Sequence, residues 1–383
     1  MILKVLALFG RHTNVMSKNV KAVLQPVVSA LANKCSKLDY IEALESYEVY
    51  ISKDDYNLIE NNKIQQIGLF QPSFTVKFAL YEWNASYYLV ESGMPELSSM
   101  RESVVGFMGM DNDDCEALYF VFLNQAGVQI KASATADEIY NAVFTVEYKS
   151  DRIPRESIEQ FFNEVNIYKI DEGKIGLPTP VDEYLLKQLA LKYICSIYQE
   201  NTFTTINLST EAIKRFDKLS ENTDHLIPID NLVQSIMAYR WNFVFLDLYR
   251  CIERLYVIGW VLDYSETFNS PLGKEDVHAK LIERFIAHHE DEIINYLFTK
   301  LDSNLLAELD AVRGDKKQAD YIYDLRNSIV HYQTSDVILS DNEWNNITIF
   351  LLKAIDRLYT YLKDDIITLG NKEFKKDKSN VVA

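Results

Sequence analysis

The sequence predicts an α+β protein, with a mixed α+β region at its N-terminus, helices after it, and an all-α helical bundle at its C-terminus. Three observations predict this. In PSFTVKFALYEW and SYYLVES, aromatic and β-branched residues alternate with polar ones at a period of two, as half-buried strands require. From Ile153 the apolar spacing changes to three and four, the period of a helix with one buried face. From residue 231 onward every local signal is helical.

Ile2 to Phe9 is expected to be a buried strand and Lys18 to Ala32 a helix. The two alternating segments are joined by Asn84-Ala85, which predicts a hairpin. EALYFVFLNQAGVQIKAS is expected to form two further strands with a turn near Gly127, and AVFTVEYKS a third. Residues 1–152 thus read as an α+β sensor or specificity domain. Pro154 opens the helical run IPRESIEQFFNEV, and the loop GKIGLPTP follows with two glycines and two prolines, so a boundary is expected here.

Residues 153–230 read as a helical connecting region. VDEYLLKQLALKYICSIYQE presents Leu185, Leu186, Leu189, Ile194 and Ile197 on one face, NTFTTINLS interrupts as strand or loop, and a helix at 210–220 leads to a turn at Pro228. Residues 231–366 read as the bundle, with helices at 231–263 (one or two), 275–300, 302–312, 319–333 and 341–366, the last N-capped by Ser340 or Asp341. Residues 367–383 form a lysine-rich tail.

A chain of 383 residues exceeds a single core, and 48% apolar with 25% charged residues is the mixture of a chain folded nearly throughout. A formal charge of -17 repels polyanions, so an RNA ligand must meet a local basic spot. Cys35, Cys115, Cys195 and Cys251 lie far apart and read as reduced thiols, without zinc or disulfides. The apolar start is interrupted by Lys4 and Arg11, and no apolar run reaches the roughly 18 residues of a membrane span. A cytoplasmic protein with no membrane contact is expected.

Chemistry concentrates in YIYDLRNSIVHYQTSD. On a helix, Asn327 and His331 stand four residues apart, about 40° from each other, while Ile322, Leu325 and Ile329 point the other way. The helix can bury its aliphatic side and present an amide and an imidazole, with Arg326 at the flank. The run Arg326-Asn327-Ser328-Ile329-Val330-His331 resembles the R-x4-6-H motif of HEPN domains, in which a polar residue, often Asn, follows the Arg. The resemblance spans roughly residues 231 to 366: the motif near the start of a helix, a long apolar helix before it, and one amphipathic helix after it.

That resemblance implies a metal-independent endoribonuclease, active as a homodimer whose two motif helices face each other, with no cofactor and no metal. Arg326 would grip the scissile phosphate, Asn327 would orient the phosphate or the imidazole, and His331 would act as general acid or base. HEPN nucleases serve in bacterial toxin systems and in defence against phage, which makes such a role, with a regulatory protein or small-molecule trigger at the N-terminal region, an expectation here. Some HEPN toxins carry a tyrosine two residues after the His; here Tyr332 follows directly, so pairing with a nucleotidyltransferase antitoxin is not expected. Asp247, Arg250, Glu253 and Arg254 either orient the motif arginine or form a solvated stripe. The alternative is a catalytically inactive dimerising or nucleotide-binding module, in which Arg326 and His331 pair with carboxylates.

Other candidates carry less. His288-His289, followed by Glu290, Asp291 and Glu292, lacks the i,i+4 histidine pair of zinc enzymes and reads as an exposed acidic face. Asp111 to Asp114 reads as an acidic turn between strands, without the glycine and glutamate of a calcium loop. Arg11 and His12 follow a single glycine, too little for a phosphate cradle. Trp83, Tyr87 and Tyr88 read as core or cross-strand residues rather than base-stacking ones.

Overall fold

The structure is a computed structural model that describes residues 18–35, 48–49, 53–98, 106–110, 112–144, 152–153, 155–178, 181–200, 206–222, 224–267, 290–331 and 339–369. The chain divides into two units, Met1–Gly176 with Val181–Leu186, and Leu177–Pro180 with Lys187–Ala383. The α+β class is seen directly. The strand expected at Ile2 to Phe9 lies outside the described residues.

In the first unit, five antiparallel strands take the order β2-β3-β4-β7-β5, with β2 at Ile64–Phe70, β3 at Lys77–Trp83, β4 at Ser86–Ser92, β5 at Phe107–Gly109 and β7 at Val165–Ile170. A separate two-residue parallel pair joins β1 (Glu48–Val49) to β6 (Arg152–Ile153). The expected hairpin is present: Lys77 pairs with Ser92 and Trp83 with Ser86. Asn84 and Ala85 both take positive φ, 49° and 53°, which the tight two-residue turn demands of its central pair.

Among the described residues, helices of this unit include α1 (Lys18–Lys34), α2 (Lys53–Glu60), α3 (Glu116–Ala126) and α4 (Ala136–Phe144). Helix α1 buries Leu24, Val27, Val28 and Leu31 despite carrying Pro26. Proline has no N–H to give the carbonyl four residues back. The Asn124 Nδ2 supplies that bond instead, donating to the Ala22 carbonyl at 3.3 Å.

Helix α3 corrects an expectation. EALYFVFLNQA is one buried helix rather than a strand, because apolar side chains surround it and erase the period that would have marked it. Gly127 is its C-cap, at φ 57°, rather than a hairpin turn. Both ends of this buried helix meet charge from elsewhere in the unit. The Asp55 carboxylate accepts from the Ala117 amide at 3.1 Å, and the Lys77 ammonium donates to the carbonyls of Ala126 and Gly127. The signs match the helix dipole.

Ala142 to Phe144 end α4 and are not a strand; the rest of AVFTVEYKS lies outside the described residues. In IPRESIEQFFNEV only Arg155–Glu159 is helical (α5), and the chain then enters β7, hydrogen-bonded to both β4 and β5. That pairing holds residues 155–176 in the sheet unit, so the division falls in the loop GKIGLPTP instead of at residue 152.

The second unit, among its described residues, contains helices and no strand. Helix α6 (Glu183–Gln199) enters it at Lys187, and residues expected to form a connecting region belong to the same unit, as α7 (Thr210–Ser220) and α8 (Ile229–Ile236). The expected helical stretch 231–263 is broken into the end of α8, α9 (Trp241–Glu253) and α10 (Tyr256–Thr267). Then come α11 (Glu290–Phe298), the short α12 (Ser303–Ala307) and α13 (Asp310–Arg313), α14 (Gln318–Val330) and α15 (Asp341–Tyr361).

Helix α15 is the spine of this unit. Ile347, Phe350, Leu351, Ala354, Ile355 and Leu358 are fully buried along it, and its start is a capping box: the Ser340 side chain accepts from the Glu343 amide while Glu343 accepts from the Ser340 amide. Gly259 on α10 brings α11 close, since a Cβ there would stand 3.1 Å from Ile293 and Leu297 side-chain carbons. The four cysteines are buried and unbridged. No helix among the described residues is long and apolar enough to cross a membrane.

Candidate functional site

Helix α14 carries Arg326 and Asn327, and its residues Ile322 and Leu325 are buried while Ile329 is half-buried. The helix stops at Val330, so the motif occupies its final turns rather than its start. His331 is the C-cap: its amide still donates to the Asn327 carbonyl at 2.9 Å, but its φ of -94° and ψ of 10° leave helical geometry. The His331 side chain is exposed and has no hydrogen-bond or ion-pair partner among the described residues. Tyr332 lies outside the described residues.

Arg326 is held on three sides. One terminal nitrogen donates to the Asn327 side-chain oxygen at 2.9 Å; the other lies 3.4 Å from Glu253 and 3.7 Å from Glu290. Glu253 ends α9 and Glu290 starts α11, so three helices converge on one guanidinium. Burial opposes the arginine's charge, but the carboxylates of Glu290 and Glu253 outweigh it and raise the pKa. For Glu253 the balance runs the other way: burial raises its pKa and Arg326 recovers only part of the loss. The Arg326 side chain as a whole keeps 20% of its surface exposed.

Behind this cluster the hydroxyls of Tyr249 and Tyr256 are 2.5 Å apart, both buried, and burial pushes both phenols up. Neither ionises near neutral pH. The pair ties α9 to α10 next to the motif.

Of the four charges read as candidates to orient the motif arginine, Glu253 bonds it. Asp247 instead pairs with Arg250 at 2.7 Å, and burial raises the Asp247 pKa against that pairing. Arg254 is the exposed C-cap of α9. Among the described residues these three make no bond to Arg326. Glu290 was legible only as part of an exposed acidic face; its meeting with Arg326 spans 36 residues and has no local signal.

The remaining candidates separate from this site. His288, His289, Asp111, Arg11 and His12 lie outside the described residues. Asn112–Cys115 form a single 3-10 turn that leads into α3, not a link between strands. Trp83 and Tyr88 pack at 5.2 Å between ring centroids, and Tyr88 is buried in the sheet, as cross-strand aromatics do. Compared with models of protein families, with curated proteins and with solved structures, the chain matches none.

Proposed function

We propose that the chain is a metal-independent endoribonuclease of the HEPN kind, working as a homodimer. RNA brings its own nucleophile, the 2′-hydroxyl, which attacks phosphorus while the bond to the 5′-oxygen breaks. The protein must move one proton off the 2′-oxygen, place one on the 5′-oxygen, and stabilise charge on the phosphorane. His331 moves protons, Arg326 binds the phosphate oxygens in its planar fork, and Asn327 fixes the guanidinium. The products are a 2′,3′-cyclic phosphate and a 5′-hydroxyl. A restrained effector in a bacterial toxin or anti-phage system suits a chain of charge -17, since that charge disfavours indiscriminate binding to cellular RNA.

One observation carries this reading: an exposed imidazole four residues beyond an Asn whose side chain accepts from a partly exposed arginine. A second reading is favoured by the carboxylates. Glu253 and Glu290 give Arg326 internal partners, as they would in an inactive dimerising or nucleotide-binding module.

RNA cleavage in excess chelator, with the new ends mapped, separates the two. The expected result is chelator-resistant cleavage that falls about 100-fold or more in His331→Ala. Loss of cleavage on chelation, or full activity in that variant, overturns the nuclease. A folded parent that never cuts RNA favours the module.

A further inference from the structure

The solvent face of α9 carries a stripe that the chemistry above does not use. Arg240 is the N-cap of this helix, and Phe243, Arg250 and Arg254 follow it at intervals that place all four within about 80° of one face. Tyr239 joins the stripe at its start. Tyr239 as a residue is 59% exposed and Phe243 41%; their ring centroids stand 5.3 Å apart, and the Arg240 guanidinium lies over the Tyr239 ring at 5.5 Å. What sets this pair apart is adjacency: two exposed aromatic residues lie side by side with a guanidinium over one of them.

The charges are layered. Arg250 is 61% exposed and its partner Asp247 only 13%, so the cation stands outermost and the carboxylate is recessed beneath it. Asp341 of α15, at the edge of the stripe, accepts from the Trp241 indole at 2.8 Å. Glu253, on the other edge, is occupied with Arg326. In a chain of charge -17, the stripe is therefore a place where guanidiniums face solvent ahead of carboxylates.

We infer that this face of α9 is a docking track for single-stranded RNA, with Tyr239 and Phe243 stacking on bases and Arg240, Arg250 and Arg254 meeting phosphates. A second copy of the chain fits less well, because a twofold contact would set the arginine stripe against itself. A duplex fits less well because its bases are already stacked and leave the rings nothing to hold. The choice of RNA over DNA rests on the nuclease reading, and the track ends beside Glu253, which holds Arg326.

The test uses a fluorescent, fully 2′-O-methylated single strand, which has no nucleophile and survives whatever His331 does. Full-length protein is expected to bind it with an affinity that falls as salt rises. Phe243→Ala and Arg254→Glu should each weaken binding by about fivefold or more, with unchanged thermal melting, since both side chains lie at the surface. Lys214→Glu, an exposed cation on α7, should leave binding as it was, and a duplex of the same sequence should compete poorly. If the parent binds this strand while never cutting unmodified RNA, the track stands and the nuclease falls. No binding by the parent, or equal binding by the stripe variants, overturns the track. Phe243→Ala that splits a dimer while leaving RNA affinity alone assigns the stripe to a protein contact instead.

Discussion

The sheet unit and the helical unit both bury charge, but their charges answer to different partners. In the first, Asp55 and Lys77 meet the two ends of α3, and Glu91, with no exposed surface, accepts from the Met94 amide at 3.2 Å and from the Asn166 side chain at 2.5 Å. Backbone groups consume most of that capacity, so these charges specify the fold. In the second, Arg326 meets side chains and remains partly open. A charge spent on peptide groups is unavailable to a ligand, whereas one held by carboxylates can trade them for phosphate.

The contrast is broken or sharpened by substitution. The largest expected effect is that of Glu91→Ala, which strands the Met94 N–H in a sealed interior, leaves the Asn166 amide only a 3.5 Å bond to the Met94 carbonyl, and should cost about 2–4 kcal/mol in denaturant unfolding. Arg326→Ala should cost about 1 kcal/mol, because solvent reaches the cluster, while abolishing the RNA cleavage proposed above. Equal losses for the two would erase the distinction between the units.

The smallest effect concerns pH. The folded pKa of Glu253 lies above that of a free glutamate. Between those two values the folded chain holds more protons than the unfolded one, so stability falls as pH rises through that window. Glu253→Gln should remove this slope from urea midpoints measured between about pH 4 and pH 7. A slope that persists places the titration on another group.

Local signals carried the β3–β4 hairpin, the helices α6 and α7, and the Ser340 cap, because alternation, apolar spacing and a hydroxyl before an acidic turn act over a few residues. They failed for α3, whose apolar residues on every side leave no face to count, and for β7, whose strand character lies in pairing with β4 and β5. At the site, Arg326, Asn327 and His331 were legible as a helical constellation, and Glu253 as one of four nearby charges. The end of α14 at Val330 was not: Arg326 to Val330 is a plausible helix interior, and termination there is a tertiary outcome. Nor was Glu290, whose position depends on α11 reaching Gly259 of α10.

The strand order has a consequence for synthesis. A ribosome delivers β2, β3 and β4 as a meander that can zip as it emerges, but β5 pairs, among the described residues, with β7, which is made more than fifty residues later and must slot between β4 and β5. Until then β4 presents a raw edge to solvent or to a chaperone, and a nascent chain released before Val165 would leave that edge open for good.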